Sequence, residues 1–137
     1  METNTVIKGI LDGVSRDTGT FDVFRRPGLI ALPDGALIAY YEGHAIGEKK
    51  NQTLFCRVSK DNGATWSDRH ILCSGTDPGA LPHNIMMVVD GDGHIHCFWN
   101  IWYRQLWHCT STDGLNWTQP ENWTEKLKNA QTSYPWN

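Results

Sequence analysis

SKDNGATW, residues 59–66, and STDGLNW, residues 111–117, are two versions of one phrase. Ser59 matches Ser111, Asp61 matches Asp113, Gly63 matches Gly114 and Trp66 matches Trp117, with one residue fewer in the second copy. These are turn residues: short polar side chains bond their own backbone, glycine takes a positive φ, and the tryptophan supplies a large apolar plug. The repetition extends outward on both sides. LFCRV precedes the first phrase and LWHC the second, and each of these strand-like runs follows a hairpin. GLIALPDGALIAYYEG turns at Pro33-Asp34-Gly35, and IMMVVDGDGHIHCFWN turns at Asp90-Gly91-Asp92-Gly93, so that Gly35 matches Gly93. A short last strand follows each phrase, RHILCS in one case and ENWTEKL in the other. The unit repeats with a period of roughly 50 residues, which is the mark of propellers and related arrays. Four antiparallel strands per unit make a propeller blade.

The expected architecture is therefore all-β, with about two four-stranded antiparallel blades in a single segment spanning 1–137. Blade one is placed at about 23–75 and blade two at about 82–124, with terminal strands at 4–11 and 131–137 completing adjacent blades. Helical periodicity is scarce; only EKLKNA, Glu125 to Ala130, suits a helical turn. Seven Trp and thirteen Gly in 137 residues fit twisted sheets with tight turns and aromatic layers. Alternation along HIHCFW puts Ile95, Cys97 and Trp99 on one face and His94, His96 and Phe98 on the other.

Charge and cysteine usage exclude several classes. A net charge of -3 and a pI near 6.0 give no basic excess, so nucleic acid and anionic membrane surfaces are not expected partners. No apolar run approaches the roughly 20 residues that cross a bilayer. METNTVIKGILDG lacks a signal peptide's basic and apolar regions, so the chain as given is expected to be cytoplasmic or to have lost its targeting segment. The N-x-[ST] sequons at Asn51, Asn116 and Asn122 are then chance matches. Cys56, Cys73, Cys97 and Cys109 form no C-x-x-C pair and no zinc-finger spacing. They read as small buried hydrophobes, with Cys97 and Cys109 close on neighbouring strands, and neither metal nor cofactor is expected.

Ser59, Asp61, Gly63, Thr65 and Trp66 resemble the Asp-box, or BNR repeat, of the sialidase/neuraminidase superfamily, and Ser111, Asp113, Gly114 and Trp117 resemble its shortened form. FRRPGLIALPDGALIAYYEGH is similar to the opening of sialidases, where an aromatic-Arg-Ile-Pro motif precedes a DG hairpin and a strand ending Ala-x-x-Glu. The similarity runs from about Val23 to about Trp123. It implies that the Asp-box residues are scaffold, lying between the third and fourth strands of each blade and away from the substrate. It also implies that the arginine after Phe24, Arg25, binds a substrate carboxylate through its planar guanidinium. Arg26 stands where the family has isoleucine, which puts a charge in place of a buried aliphatic. The alternative for both arginines is a solvated strand edge.

The resemblance fails at the acid/base aspartate, whose position falls on Lys49, beside Glu48, and an expected arginine falls on His44. Glu48, if the loop shifts by one residue, and His44, whose imidazole is of the type that serves as acid or base, are the catalytic candidates. Arg25, Arg26, Glu42 and His83 are the substrate-binding candidates. The family's tyrosine nucleophile and its remaining arginines come from later blades, so enzyme activity is left open for this chain. A second resemblance, to BNR-type polysaccharide lyases with histidine chemistry, rests on His83-Asn84 and His94-x-His96. In that reading His44, His83, His96 and His108 gather at the pocket end of the strands; the plainer alternative is histidines satisfied singly by their neighbours.

Three functions follow. The first is carbohydrate recognition derived from a sialidase-like glycoside hydrolase, with a complete pocket only if further blades or other copies of the chain close the ring. The second is a non-enzymatic lectin-like or structural oligomer, and the third is a lyase. Two blades leave apolar faces and sheet edges open, so the expected partners are a carbohydrate ligand and either more chain or copies of itself, three copies giving the family's usual six blades.

Overall fold

The computed structural model describes residue 21, residues 23–45 and residues 51–130. The expected terminal strands and Glu48 lie outside these residues. The elements are β1 (Val23–Ala31), β2 (Leu37–Ala45), β3 (Asn51–Ser59), β4 (His70–Gly75), β5 (Pro82–Val89), β6 (Ile95–Ile101), β7 (Gln105–Ser111), β8 (Glu121–Asn122) and α1 (Thr124–Ala130). They form two four-stranded antiparallel sheets in the orders β1-β2-β3-β4 and β5-β6-β7-β8. The last strand of the second sheet is shorter than ENWTEKL suggests. Glu121 and Asn122 form its ladder with β7, and the Trp123 N–H donates to Leu106 O at 2.7 Å; Asn122 Oδ1 then accepts the Thr124 N–H at 3.0 Å, and the chain turns into α1.

The two hairpin turns are built alike. The Gly35 N–H donates to Leu32 O at 2.9 Å and the Gly93 N–H to Asp90 O at 3.1 Å, with φ of 88° and 84° that an L side chain resists. An aspartate anchors each: Asp34 Oδ1 accepts the Ala36 N–H, and Asp90 Oδ1 those of Asp92 and His94.

The Ser-Asp-Gly-Trp turns lie after β3 and β7. In the first, Ser59 Oγ donates to Asp61 Oδ1 at 2.8 Å and accepts the Gly63 N–H at 2.8 Å, while Trp66 Nε1–H donates to Gly63 O at 3.1 Å. In the second, Ser111, Asp113, Gly114 and Trp117 repeat those bonds at 3.1, 2.9 and 3.0 Å. Thr65 Oγ1 donates to Asp61 Oδ2, and Asn116 Nδ2 does the same for Asp113 Oδ2. The Thr65 hydroxyl and amide, with Ser59, hold Asp61 down at about 2. Each carboxylate is consumed by its own turn.

The sheets pack on one another. Leu32, Ala36, Ile38, Leu54, Cys56 and Val58 of the first share a buried cluster with Ile85, Met87, Ile95, Cys97, Trp99 and Cys109 of the second. Each fully buried aliphatic or aromatic side chain here contributes about 1.5–3 kcal/mol. Cys97 and Cys109 are direct cross-strand partners, and burial pushes the Cys56 thiol up to about 12, so this thiol behaves as a hydrophobe. β5 touches all four strands of the first sheet. Gly114 seats the second turn against the first sheet: a Cβ there would lie 2.6 Å from Ile38 Cδ1 and 2.9 Å from Val58 Cγ2. On its other face the first sheet carries Phe21, Tyr41 and Phe55, with Phe24 alongside.

Candidate functional site

Antiparallel pairing puts the starts of β1, β3, β5 and β7 at the same end as the finishes of β2, β4 and β6, opposite the hairpin and Ser-Asp-Gly-Trp turns. The first strand of each blade is bulged at this end. Register slips between Arg25 and Gly28 in β1 and between His83 and Met86 in β5, positions related by the same offset as Gly35 and Gly93. Each bulge holds a non-glycine residue at positive φ, Arg26 at 51° and Asn84 at 56°. A bulge re-aims side chains, and both are used here.

Glu42, near the end of β2, is the centre. Its side chain is 0% exposed. Its Oε2 accepts from Arg26 Nη1 at 3.1 Å, His44 Nε2 at 3.0 Å and Gln52 Nε2 at 3.5 Å, and its Oε1 accepts the Ile85 N–H at 3.3 Å. A buried carboxylate survives only with such compensation. Arg26 supplies the charge across the first bulge, and the second bulge brings the Ile85 amide from the other sheet. Gln52, opposite His44 in the β2–β3 ladder, also lies 2.9 Å from His83 Nδ1. The cluster thus ties both blades together by polar contacts where the hydrophobic core ends.

His83 is half-buried, and burial lowers its pKa, with Glu42 opposing and His44 and Arg26 assisting the shift. Its Nε2 is buried without a hydrogen-bond partner among the described residues, as is Asn100 Oδ1 on the strand opposite. The β6–β7 hairpin stands beside them. Tyr103 stacks on His83 with ring centroids 5.0 Å apart and planes at 19°, and Trp102 lies at 6.1 Å. Asn100, Tyr103, Arg104 and Thr124 help line an open cleft of about 340 Å³ between this hairpin and α1.

Of the substrate-binding candidates, Arg26, Glu42 and His83 converge, and His44 joins them. Arg25 pairs through its backbone with Glu42, but its side chain is exposed and makes no hydrogen bond among the described residues; the strained Arg26 makes the ion pair. Arg26, 43% exposed, keeps further N–H groups for a ligand. The four histidines do not gather. His96 and His108 bond each other at 3.0 Å and His96 reaches Asp90 at 3.1 Å, a separate group beside Phe98 and Trp123. Alternation along β6 separates His96 from the core, and its position near the Asp90 turn puts it at the opposite end from His83. At that turn Asp90, Asp92 and His94 bring three possible metal-ligand atoms within 4.8 Å of one another, all exposed. Gln52, Asn100, Trp102 and Tyr103 were absent from the sequence expectations. Equivalence to Glu42 under the repeat points to Asn100, but no local signal marks the other three.

No family model matches the chain. Among solved structures the fold is similar to the Hadza microbial sialidase Hz136, at TM-score 0.60 and 21% identity over 74% of this chain and 26% of that one. It is also similar to the α-L-arabinofuranosidase of Fusarium graminearum in complex with arabinobiose, at TM-score 0.59 and 16% identity over 71% and 32%. A third similarity is to the α-L-arabinanase of Penicillium chrysogenum complexed with arabinobiose, at TM-score 0.57 and 16% identity over 71% and 32%. The chain spans 26% to 32% of the lengths of these proteins. At such identities the likeness establishes the fold alone, that of four-stranded β-propeller blades.

Proposed function

We propose that this two-blade segment of a sialidase-type propeller recognises carbohydrate at the Glu42 cluster, and that a glycoside-hydrolase pocket forms there when further blades close the ring. The observation carrying this reading is the fully buried Glu42 joining Arg26, His44 and Gln52 at the bulged strand ends. The proteins similar in fold, a sialidase and arabinan-degrading enzymes, support the carbohydrate class. Arg26 offers a guanidinium fork to an acidic sugar, with Glu42 fixing its direction. Arg25 stands exposed beside it as a second cation.

Lys49 at the acid/base position favours a second reading, lectin-like binding without turnover. A glycan array and two fluorogenic substrates, a sialoside and an arabinofuranoside, separate the two. Binding that disappears in Glu42→Gln, with hydrolysis of either substrate, supports the enzyme; the same binding without hydrolysis supports the lectin. Absence of binding to any glycan rejects both. Ring closure comes from more chain or from copies, three of them in the six-blade reading, and sedimentation mass distinguishes a trimer from a monomer.

A further inference from the structure

The Trp102–Tyr103 hairpin tip is unexplained by folding. Both residues have positive φ, 51° and 56°, and the Arg104 N–H closes the turn on Ile101 O at 3.1 Å. Two central residues at positive φ are the signature of a type I′ turn, which favours Asn-Gly and resists bulky side chains. Neither ring is placed there for burial, since Trp102 is 43% and Tyr103 66% exposed. Strained, exposed aromatics of this kind point to function.

What they stand beside is an unmet donor. Gln52 Nε2 faces the Glu42 carboxylate, which fixes its amide orientation, and the same nitrogen lies 2.9 Å from His83 Nδ1. Nδ1 is therefore the acceptor, and a neutral imidazole carries its proton on Nε2. That Nε2–H has no partner among the described residues, and the Tyr103 ring stacks over its imidazole. The acceptor Asn100 Oδ1, equally unpartnered, lies on the strand opposite.

Resting on the carbohydrate reading above, we propose that Trp102 and Tyr103 form the stacking wall of this site and that His83 Nε2–H donates to an oxygen of the bound saccharide. A sugar ring presents an apolar C–H face to an aromatic and hydroxyls at its rim, which matches a Tyr103 face beside a donor and an acceptor. Rotation of the exposed Tyr103 about its side-chain torsions exchanges the stack on His83 for a stack on the ligand and uncovers Nε2. Glu42 and Gln52 act as positioning residues, holding the His83 tautomer.

The test uses 3′-sialyllactose as an acidic probe and arabinobiose as a neutral one, titrated into the full chain by calorimetry with histidine ¹⁵N spectra recorded in parallel. The double variant Trp102→Asn/Tyr103→Gly is expected to raise Tm by several degrees, because the turn is relieved, and to weaken binding at least tenfold. Tyr103→Phe keeps binding, Tyr103→Leu loses it, and the His83 Nε2–H resonance moves on saturation in the wild type. If the double variant folds poorly, Tyr103→Asn alone carries the same comparison. Binding that Glu42→Gln abolishes but the turn variant leaves unchanged overturns this inference and spares the carbohydrate reading. Failure of the wild type to bind either probe or any arrayed glycan overturns both.

Discussion

Glu42 shows how one residue can organise a candidate site while holding the scaffold together. Its carboxylate satisfies Arg26, His44, Gln52 and the Ile85 amide, so removing it orphans donors from both sheets. Glu42→Ala is expected to cost about 3 kcal/mol in chemical denaturation, and Glu42→Gln less, since the amide oxygen still accepts one donor. A cost under about 1 kcal/mol for the alanine variant would show that water replaces the carboxylate. The histidines add a pH dependence. Burial lowers the pKa of His83 and of His108, the latter with His96 assisting, so the folded state holds both neutral. The unfolded chain binds protons at about pH 6.5, and this contribution is present above that value and lost as pH falls below it. Asp61 and Asp90 are both depressed to about 2, so their contribution is present above about pH 4 and declines from there toward 2. Tm should hold from about pH 8 to 7, decline gently below 6.5 and steeply below 4. An unchanged Tm between pH 7 and 5 contradicts the neutral histidines.

The turns and bulges divide the element-scale labour. Gly35 and Gly114 both sit at positive φ, 88° and 74°, but they answer to different constraints. A Cβ at Gly35 meets nothing within 4 Å, whereas at Gly114 it strikes Ile38 and Val58 of the other sheet. Gly35→Ala should cost about 1 kcal/mol, the backbone penalty alone. Gly114→Ala adds overpacking and should cost about 3 kcal/mol or more, measured by urea unfolding. Equal costs would mean the sheets slide apart freely. Both turns were legible because their chemistry is local: Pro33-Asp34-Gly35 and Ser111-Thr112-Asp113-Gly114 contain the residues that bond within them. The bulges were not. Arg26 adopts positive φ against its own preference and Asn84 adopts a region that asparagine tolerates without requiring, each held by the pairing that flanks the bulge. The Trp102–Tyr103 turn hid for the same reason, since its residues contradict its type.

The outer faces of the two sheets dominate at the scale of the whole molecule. Leu29 and Ile71 on the first sheet, and Met86 and Val88 on the second, are 51%, 58%, 52% and 46% exposed. Propeller blades bury such residues against the next blade. If copies of the chain close the ring, Met86→Lys or Val88→Lys will lower the sedimenting mass at fixed concentration while leaving each segment's circular dichroism intact. An unchanged mass rules out this face as the seam.

The sequence by itself determined the blades, since strand alternation, Asp-Gly turns and the twice-used Ser-Asp-Gly-Trp phrase act through neighbours a few residues apart. It also brought Arg26, Glu42, His44 and His83 into consideration through resemblance. Only the tertiary structure decided that Arg26, rather than Arg25, meets Glu42, that Gln52 bridges to His83, and that His96 and His108 stand apart. Those outcomes depend on one-residue register slips in β1 and β5 and on the packing of β5 across the first sheet. A slip of one residue reverses the side on which a side chain emerges, and nothing in the local composition announces it.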